Sequence, residues 1–297
     1  MHFSNKLYDF LKIIKDIKYL KAFIKEIRSK NKLIGFIPTM GSLHIGHVSL
    51  IQRSIYENDI TICSIYVNPT QFNDSTDFDK YPRENKSDKE LLETLDCDIL
   101  FLPSDKEMYP DEINTINYNF SDNLHILEGE KRPGHFLGVI TIVHKFLQII
   151  QPDNAYFGEK DYQQLWLIKS FTKNFNIPTQ IRACKTIRSI DGLALSSRNK
   201  LLTASQKQIA NSIYRIQESL SNTINEKGCL DHKNFLALKN KLIKKFTSHP
   251  MIKLDYFEVI EDESFRFVHE IKKDQKYRVL IAAYVGRIRL IDNMLIE

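Results

Sequence analysis

His44-Ile45-Gly46-His47 sets two imidazoles three residues apart around a glycine, between the apolar run 32–38 and an amphipathic segment that begins at Val48. That order reads strand, tight loop, helix start. The first backbone N–H groups of a helix have no intrahelical partner and carry a partial positive charge. The two rings would therefore face a ready-made anion site. Such a site suits the α-phosphate of a nucleotide better than it suits a metal ion. An H-x-G-H string is weak by itself, because histidine pairs also fill ordinary roles.

Four further segments bear on the same chemistry. Residues 66–72 (YVNPTQF) close a β-rich run; Pro69 stops the ladder, and the side chains of Asn68 and Gln71 are delivered to its rim, unless this is a plain strand-end turn. Arg132-Pro133-Gly134-His135-Phe136 precedes a helical pattern and is another possible anion site. Gly158-Glu159-Lys160-Asp161 follows a buried strand and opens a helix, which sets Lys160 where an ammonium can meet a phosphate; a surface ion pair with the flanking acids is the alternative. Gln163 and Gln164 come on the next turn as a hydrogen-bonding arm. Leu195-Ser196-Ser197-Arg198-Asn199, just after Asp191-Gly192, has the composition of a mobile phosphate clamp or of a simple turn.

The elements that must carry these residues are legible from periodicity. Strand-like runs at 34–38, 60–67, 98–102, 155–157 and 180–187 alternate with helical patterns at 48–58, 86–95, 138–150 and 162–175. In the third helix Ile140, Val143, Leu147 and Ile150 share one face of a 3.6-residue period. This alternation predicts an α/β fold, a Rossmann-like doubly wound parallel sheet with its ligands at the carboxyl ends of the strands. After residue 199 two amphipathic segments (205–226, 232–246) precede strand-like runs at 254–260, 277–284 and 288–293, a smaller α+β domain. The expected division is 1–187 and 188–297. The stretch 11–27 reads as one lysine-studded amphipathic helix.

Composition narrows the classes. The 297 residues are 42% hydrophobic and 27% charged, ordinary for a globular protein, with a formal net charge of +5. Basic residues are spread among acidic ones, and the densest stretch, 239–245, has helical apolar spacing, so a nucleic-acid partner is not expected. Four separated cysteines without a C-x-x-C pair argue against zinc and disulfides and fit buried thiols in a reducing compartment. No leader pattern and no apolar run near ~18 residues is present, so the expectation is a cytoplasmic protein with no membrane partner.

Taken together, PTMGSLHIGH (38–47), VNPTQF (67–72), Tyr81-Pro82-Arg83, RPGHF (132–136), Gln151-Pro152-Asp153, FGEKD-x-QQL (157–165), DGLALSSRN (191–199) and Leu290-Ile291-Asp292-Asn293 resemble the pantothenate synthetase (pantoate–β-alanine ligase) family. The likeness runs in order from about residue 32 to 293. Departures are small: Tyr66 stands where Phe is frequent, Lys185 where Pro is usual, Ser189-Ile190 within an acidic pair, and Tyr284 where Arg is frequent. The resemblance implies a member of the HIGH nucleotidylyl-transferase superfamily, usually a homodimer using Mg²⁺. It would be an ATP-dependent ligase that condenses (R)-pantoate with β-alanine through a pantoyl-adenylate, releasing AMP and pyrophosphate, in coenzyme A precursor biosynthesis.

The chemistry asks mainly for positioning and charge stabilisation, because a carboxylate must attack an already anionic phosphorus. His44 and His47 are assigned to the α-phosphate and bridging oxygens, with His47 the better proton donor. Lys160 and Arg198 would neutralise developing charge, and Ser196 and Ser197 would bind β- and γ-oxygens. By resemblance the ATP site further takes in Met40, Gly41, Ser42, Leu43, Ile45, Gly46, Gly158, Glu159, Asp161, Ile187 and Leu195. Gln71 and Gln164 would hold pantoate, with Gln71 also near β-alanine, and the second domain would act as a lid. Asp88 is either an indirect Mg²⁺ contact or a solvated helix acid. A mononucleotide adenylyltransferase would not need the glutamines, a class I tRNA synthetase would need an anticodon domain, and a nucleic-acid-binding module would need basic and aromatic residues interleaved on one face.

Overall fold

The computed structural model describes residues 10–72, 78–79 and 81–296, which divide into two compact units. The first takes the described residues through Gly158 together with Gln163–Cys184. The second takes Glu159–Tyr162 and the described residues from Lys185 on.

In the first unit six strands form one parallel sheet: β1 (Lys12–Ile14), β2 (Ile34–Thr39), β3 (Ile60–Ile65), β4 (Ile99–Phe101), β5 (Asn154–Gly158) and β6 (Gln180–Cys184), in the order β1-β4-β3-β2-β5-β6. All six residues of β3 are buried, as a strand covered on both faces requires. Four helices flank the sheet: α1 (Ile17–Ser29), α2 (Ile45–Glu57), α3 (Asn85–Thr94) and α4 (His135–Ile150), with α5 (Tyr162–Asn174) leading to β6. Ile37, Leu50, Ile51, Cys63, Leu92 and Leu100 form one apolar cluster. Phe146 of α4 meets the rings of Phe36, Tyr66 and Phe101 in another.

The chain start differs from the single helix expected over 11–27. Residues 12–14 instead pair with β4, and the helix begins only after Asp16, whose carboxylate caps it by accepting from the Tyr19 N–H at 2.6 Å. β-Branched Ile13 and Ile14 favour the sheet, and Asp16 supplies the cap.

The second unit is a meander of β7 (Ile252–Glu261), β8 (Tyr277–Val285) and β9 (Ile288–Ile296), with α6 (Ala204–Lys227) and α7 (His232–Phe246) sharing its core. A reciprocal cap between Thr203 and Gln206 starts α6. The expected α/β class and the smaller α+β domain are both present. The observed division differs from a single cut at 187: residues 185–187 fall in the second unit, as do Glu159–Tyr162, which carry bonds to Asp262 and Asn293.

Among the described residues no helix is long and apolar enough to cross a membrane. Cys63, Cys97 and Cys184 are buried, whereas Cys229 is exposed, contrary to the expectation of four buried thiols. Burial pushes the Cys97 thiol up to about 12.

Burial, and secondarily the Lys145 charge, holds His144 below its ordinary value of 6.5. The Tyr118 hydroxyl hydrogen-bonds its Nδ1. The folded state thus prefers the neutral ring, so the unfolded chain binds the proton more readily. Stability is complete above pH 6.5 and falls as pH drops through the depressed folded value. Urea midpoints at pH 7.5 and 5.5 should differ less in His144→Asn than in the parent; an unchanged difference would assign the acid sensitivity elsewhere.

Candidate functional site

The sheet order reverses at the neighbours β2 and β5: successive strands from β2 run one way through β3 and β4, and β6 lies the other way. The carboxyl ends at such a switch point are where open α/β sheets bind ligands. The loop 40–44 leaves β2 there, and Gly158 ends β5.

His44 is the N-cap of α2. Its Nδ1 accepts from the Gly46 N–H at 3.1 Å, while His47 Nδ1 accepts from the His44 N–H at 3.2 Å, a capping box built from two imidazoles. The rings lie 4.2 Å apart. Since Nδ1 accepts in both, the neutral rings carry their proton on Nε2, the tautomer that can donate to an oxyanion. Gly46 is required by this arrangement, as a Cβ there would come within 2.9 Å of the His44 ring. The sequence predicts rings facing free helix N–H groups; in the structure the rings themselves engage the His44 and Gly46 N–H groups and leave their Nε2 sides outward of those bonds.

Asp88, on α3, is buried and accepts from the Ser42 and Leu43 N–H groups at 2.8 and 2.7 Å. That overturns its reading as a solvated helix acid. The carboxylate instead fixes the loop before the histidines, a role with no local signal in the sequence. Among the described residues no three His, Cys, Asp or Glu side chains come together as a metal-ligand set.

Gln71 ends a short turn, Pro69–Gln71, where its Nε2 lies 2.6 Å from Met40 Sδ. The structure therefore brings together a residue assigned to ATP and one assigned to pantoate. The turn packs so closely on α4 that a Cβ at Gly138 would come within 2.3 Å of the Thr70 carbonyl oxygen. Two neighbouring side chains differ from expectation. Asn68 is buried and bonds the Gly138 carbonyl and the Tyr109 hydroxyl rather than reaching a rim. His135 donates from Nδ1 to the Gln71 carbonyl at 2.7 Å, so it buttresses the turn instead of forming a separate anion site. Gln163 is engaged by backbone too, accepting from Glu128 and donating to Asn123 and Ile126. None of these bonds involves Gln164, which is half-buried.

In the second unit Lys160 lies in the turn Glu159–Asp161, its side chain 18% exposed and its ammonium 3.7 Å from Asp161. Asn293 Nδ2 donates to the Glu159 and Lys160 carbonyls at 2.8 and 3.0 Å. Arg278 donates to Asn293 Oδ1 and to Asp262, and stacks 3.8 Å over the ring of Tyr162. Burial, then the bond to Asp262, pushes the Tyr162 phenol well above its ordinary range, so it stays a neutral donor. Next to Asn293, Asp292 receives both arms of Arg188 at 2.6 and 2.9 Å, and Arg188 also holds the Gly192 carbonyl. This buried network was not foreseen as a unit, although the Leu290–Asn293 string was a visible signal.

The segment read as a free clamp has local order. Leu195 N–H bonds the Ile187 carbonyl, and Ser197–Leu201 forms a short helix. Ser196 donates its hydroxyl to Asn199 at 2.5 Å, so here it secures the turn; Arg198 is exposed.

Known proteins match this arrangement over nearly the whole chain. The family model described as "Pantoate-beta-alanine ligase" matches residues 12–295. A protein named pantothenate synthetase from Thermotoga petrophila is 40% identical over 286 residues, 96% of this chain and 100% of the relative. One of the same name from Francisella philomiragia is 43% identical, covering 92% of this chain and 94% of its own. The crystal structure of pantothenate synthetase from Thermus thermophilus aligns with a TM-score of 0.85 at 32% identity, over 96% of this chain and 99% of that one. The Francisella tularensis pantoate-beta-alanine ligase, crystallised with beta-gamma ATP and beta-alanine, aligns at 0.76 and 42% identity, over 96% and 97%. With a matching family model and near-complete relatives in hand, the chain belongs to the pantoate–β-alanine ligase family.

Proposed function

We propose that this chain carries out its family's reaction in two steps. A pantoate carboxylate oxygen attacks the α-phosphorus of ATP and pyrophosphate leaves; the uncharged amine of β-alanine then attacks the acyl carbon and AMP leaves. The single observation that carries this reading is the His44–His47 capping box, whose tautomers put a proton on both Nε2 atoms beside the sheet's switch point. Two such donors suit the oxygens on which charge develops, with His47 donating its Nε2 hydrogen bond to the departing oxygen.

The contact of Gln71 with Met40 supports pantoate lying beside the same loop, with Gln164 as its second amide and β-alanine approaching Gln71. Gly41, Ser42, Leu43, Ile45 and Gly46 would lend backbone to the nucleotide. Gly158, Glu159, Asp161, Ile187 and Leu195 would border it, and Lys160, Ser196, Ser197 and Arg198 would answer the phosphate charge. Binding of triphosphate would require Ser196 to exchange its bond to Asn199 for a phosphate oxygen.

Mg²⁺ would enter on the triphosphate itself. The two Asp88 oxygens are already bonded to amides, so a contact from that residue would run through water, and no step depends on it. The protein would act as a cytoplasmic homodimer in coenzyme A precursor synthesis, its smaller unit serving as the lid.

Exchange of labelled pyrophosphate into ATP should require pantoate and Mg²⁺ but not β-alanine. Exchange that appears only with β-alanine present would remove the free-standing adenylate.

A further inference from the structure

We infer that Asn293 is the residue that positions Lys160 for the first step; this rests on the reading of Lys160 as a phosphate-facing lysine. Asn293 is 3% exposed and lies on β9. Every hydrogen-bonding group it owns is engaged. Its backbone N–H donates to Asp292 Oδ1 at 2.8 Å, and its carbonyl accepts from Arg188 at 3.0 Å. Its Oδ1 accepts from Arg278 Nη1 at 2.7 Å. That leaves both Nδ2 hydrogens for the consecutive carbonyls of Glu159 and Lys160, which is the full donor capacity of the amide.

Two successive carbonyls aimed at one amide fix the plane of the peptide between them, and with it the direction in which the Lys160 side chain leaves the backbone. Other bonds hold the same turn from its far end. Tyr162 bonds Asp262, and Asp262 bonds the Nε of Arg278 at 2.6 Å. Arg278 Nη1 also stands 3.8 Å from Glu159 Oε2. The lysine is therefore mounted on a turn whose backbone is clamped at the carbonyl side by one asparagine. A short turn beside a strand end does not need such a clamp to exist, but a charge that must meet a phosphate within a fraction of an ångström does.

Asn293→Asp removes the clamp, and its combination with Lys160→Ala separates positioning from folding. The carboxylate would still accept from Arg278, now as a charge-assisted bond, so the network below it should hold. It offers no donor to the two carbonyls and sets a negative charge against them. The expected result is a ~10–10²-fold slower adenylation of pantoate in single turnover, the scale of a small misplacement. The melting temperature should fall, because two carbonyls lose their donor and face a buried charge, while the ATP affinity should stay near that of the parent.

The decisive measurement is the same substitution in a Lys160→Ala background. If Asn293 acts through the lysine, the aspartate should cost little further once the lysine is gone; equal fractional losses in both backgrounds would make Asn293 a general structural residue and overturn the inference. Near-normal rate in Lys160→Ala itself would instead remove the reading of Lys160 and the inference with it. A slow Lys160→Ala beside a normal Asn293→Asp would remove the inference alone. Should Asn293→Asp fail to fold, Asn293→Ser, which retains one donor, is read in the same assay, and failure of both to fold overturns the positioning role.

Discussion

Lys160→Ala should slow formation of the acyl-adenylate by ~10²–10⁴-fold, the scale of removing one preorganised charge contact from a phosphoryl transfer, and leave the melting transition in place. The second half follows from what the ammonium touches. Its ion-pair partner is Asp161 at 3.7 Å, and the Asp161 side chain is half exposed, a kind of pair that contributes about 0–1 kcal/mol. The turn itself is held through backbone carbonyls, which alanine keeps. Single-turnover adenylation and a thermal melt read the two effects separately. A variant that melts early, or one that turns over at nearly the parental rate, would return Lys160 to the status of a surface ion pair.

Arg188→Ala should do the reverse and act first on stability. It removes two hydrogen bonds from Asp292, whose side chain is 3% exposed, and one each from the Gly192 and Asn293 carbonyls. Breaking a buried pair from one side costs roughly 3–5 kcal/mol, because the surviving charge is stranded. The lower end applies here, since Gln217 Nε2 and the Asn293 N–H still donate to the carboxylate. Urea unfolding should register this loss. Adding Asp292→Asn in the same chain should recover part of it by discarding the unpaired charge. A loss below about 1 kcal/mol would mean that solvent reaches Asp292 and that the pair is not a structural element.

Much of the fold was legible because the first unit is written in strong periodicities. The isoleucine-rich β3 and the predominantly apolar α4 stand out in the sequence as buried elements. The start of the chain was misread because lysines beside isoleucines mimic an amphipathic helix; only pairing with β4, far along the sequence, decides that 12–14 is a strand. The site followed the same division. His44, His47, Gln71 and Lys160 stand out in the sequence as candidates because polar types fall there at strand ends and helix starts. What they bond to could not be read. Nothing near Asp88 in sequence announces that its carboxylate grips amides 45 and 46 residues away. Gln163 and Asn68 carry the same amide as Gln164 and Gln71, and only tertiary contacts reveal that backbone has already engaged theirs.

The bond from Asn293 to the Lys160 carbonyl joins residues 133 positions apart, so the lysine turn is synthesised well before β9, the strand that holds it. At ~5–20 residues per second of synthesis, the histidine loop and its sheet can be complete for many seconds while the lysine turn still lacks its clamp. A nascent chain in that interval would hold the two-imidazole cap of α2 while the Glu159–Asp161 turn still lacked the amide that fixes its carbonyls.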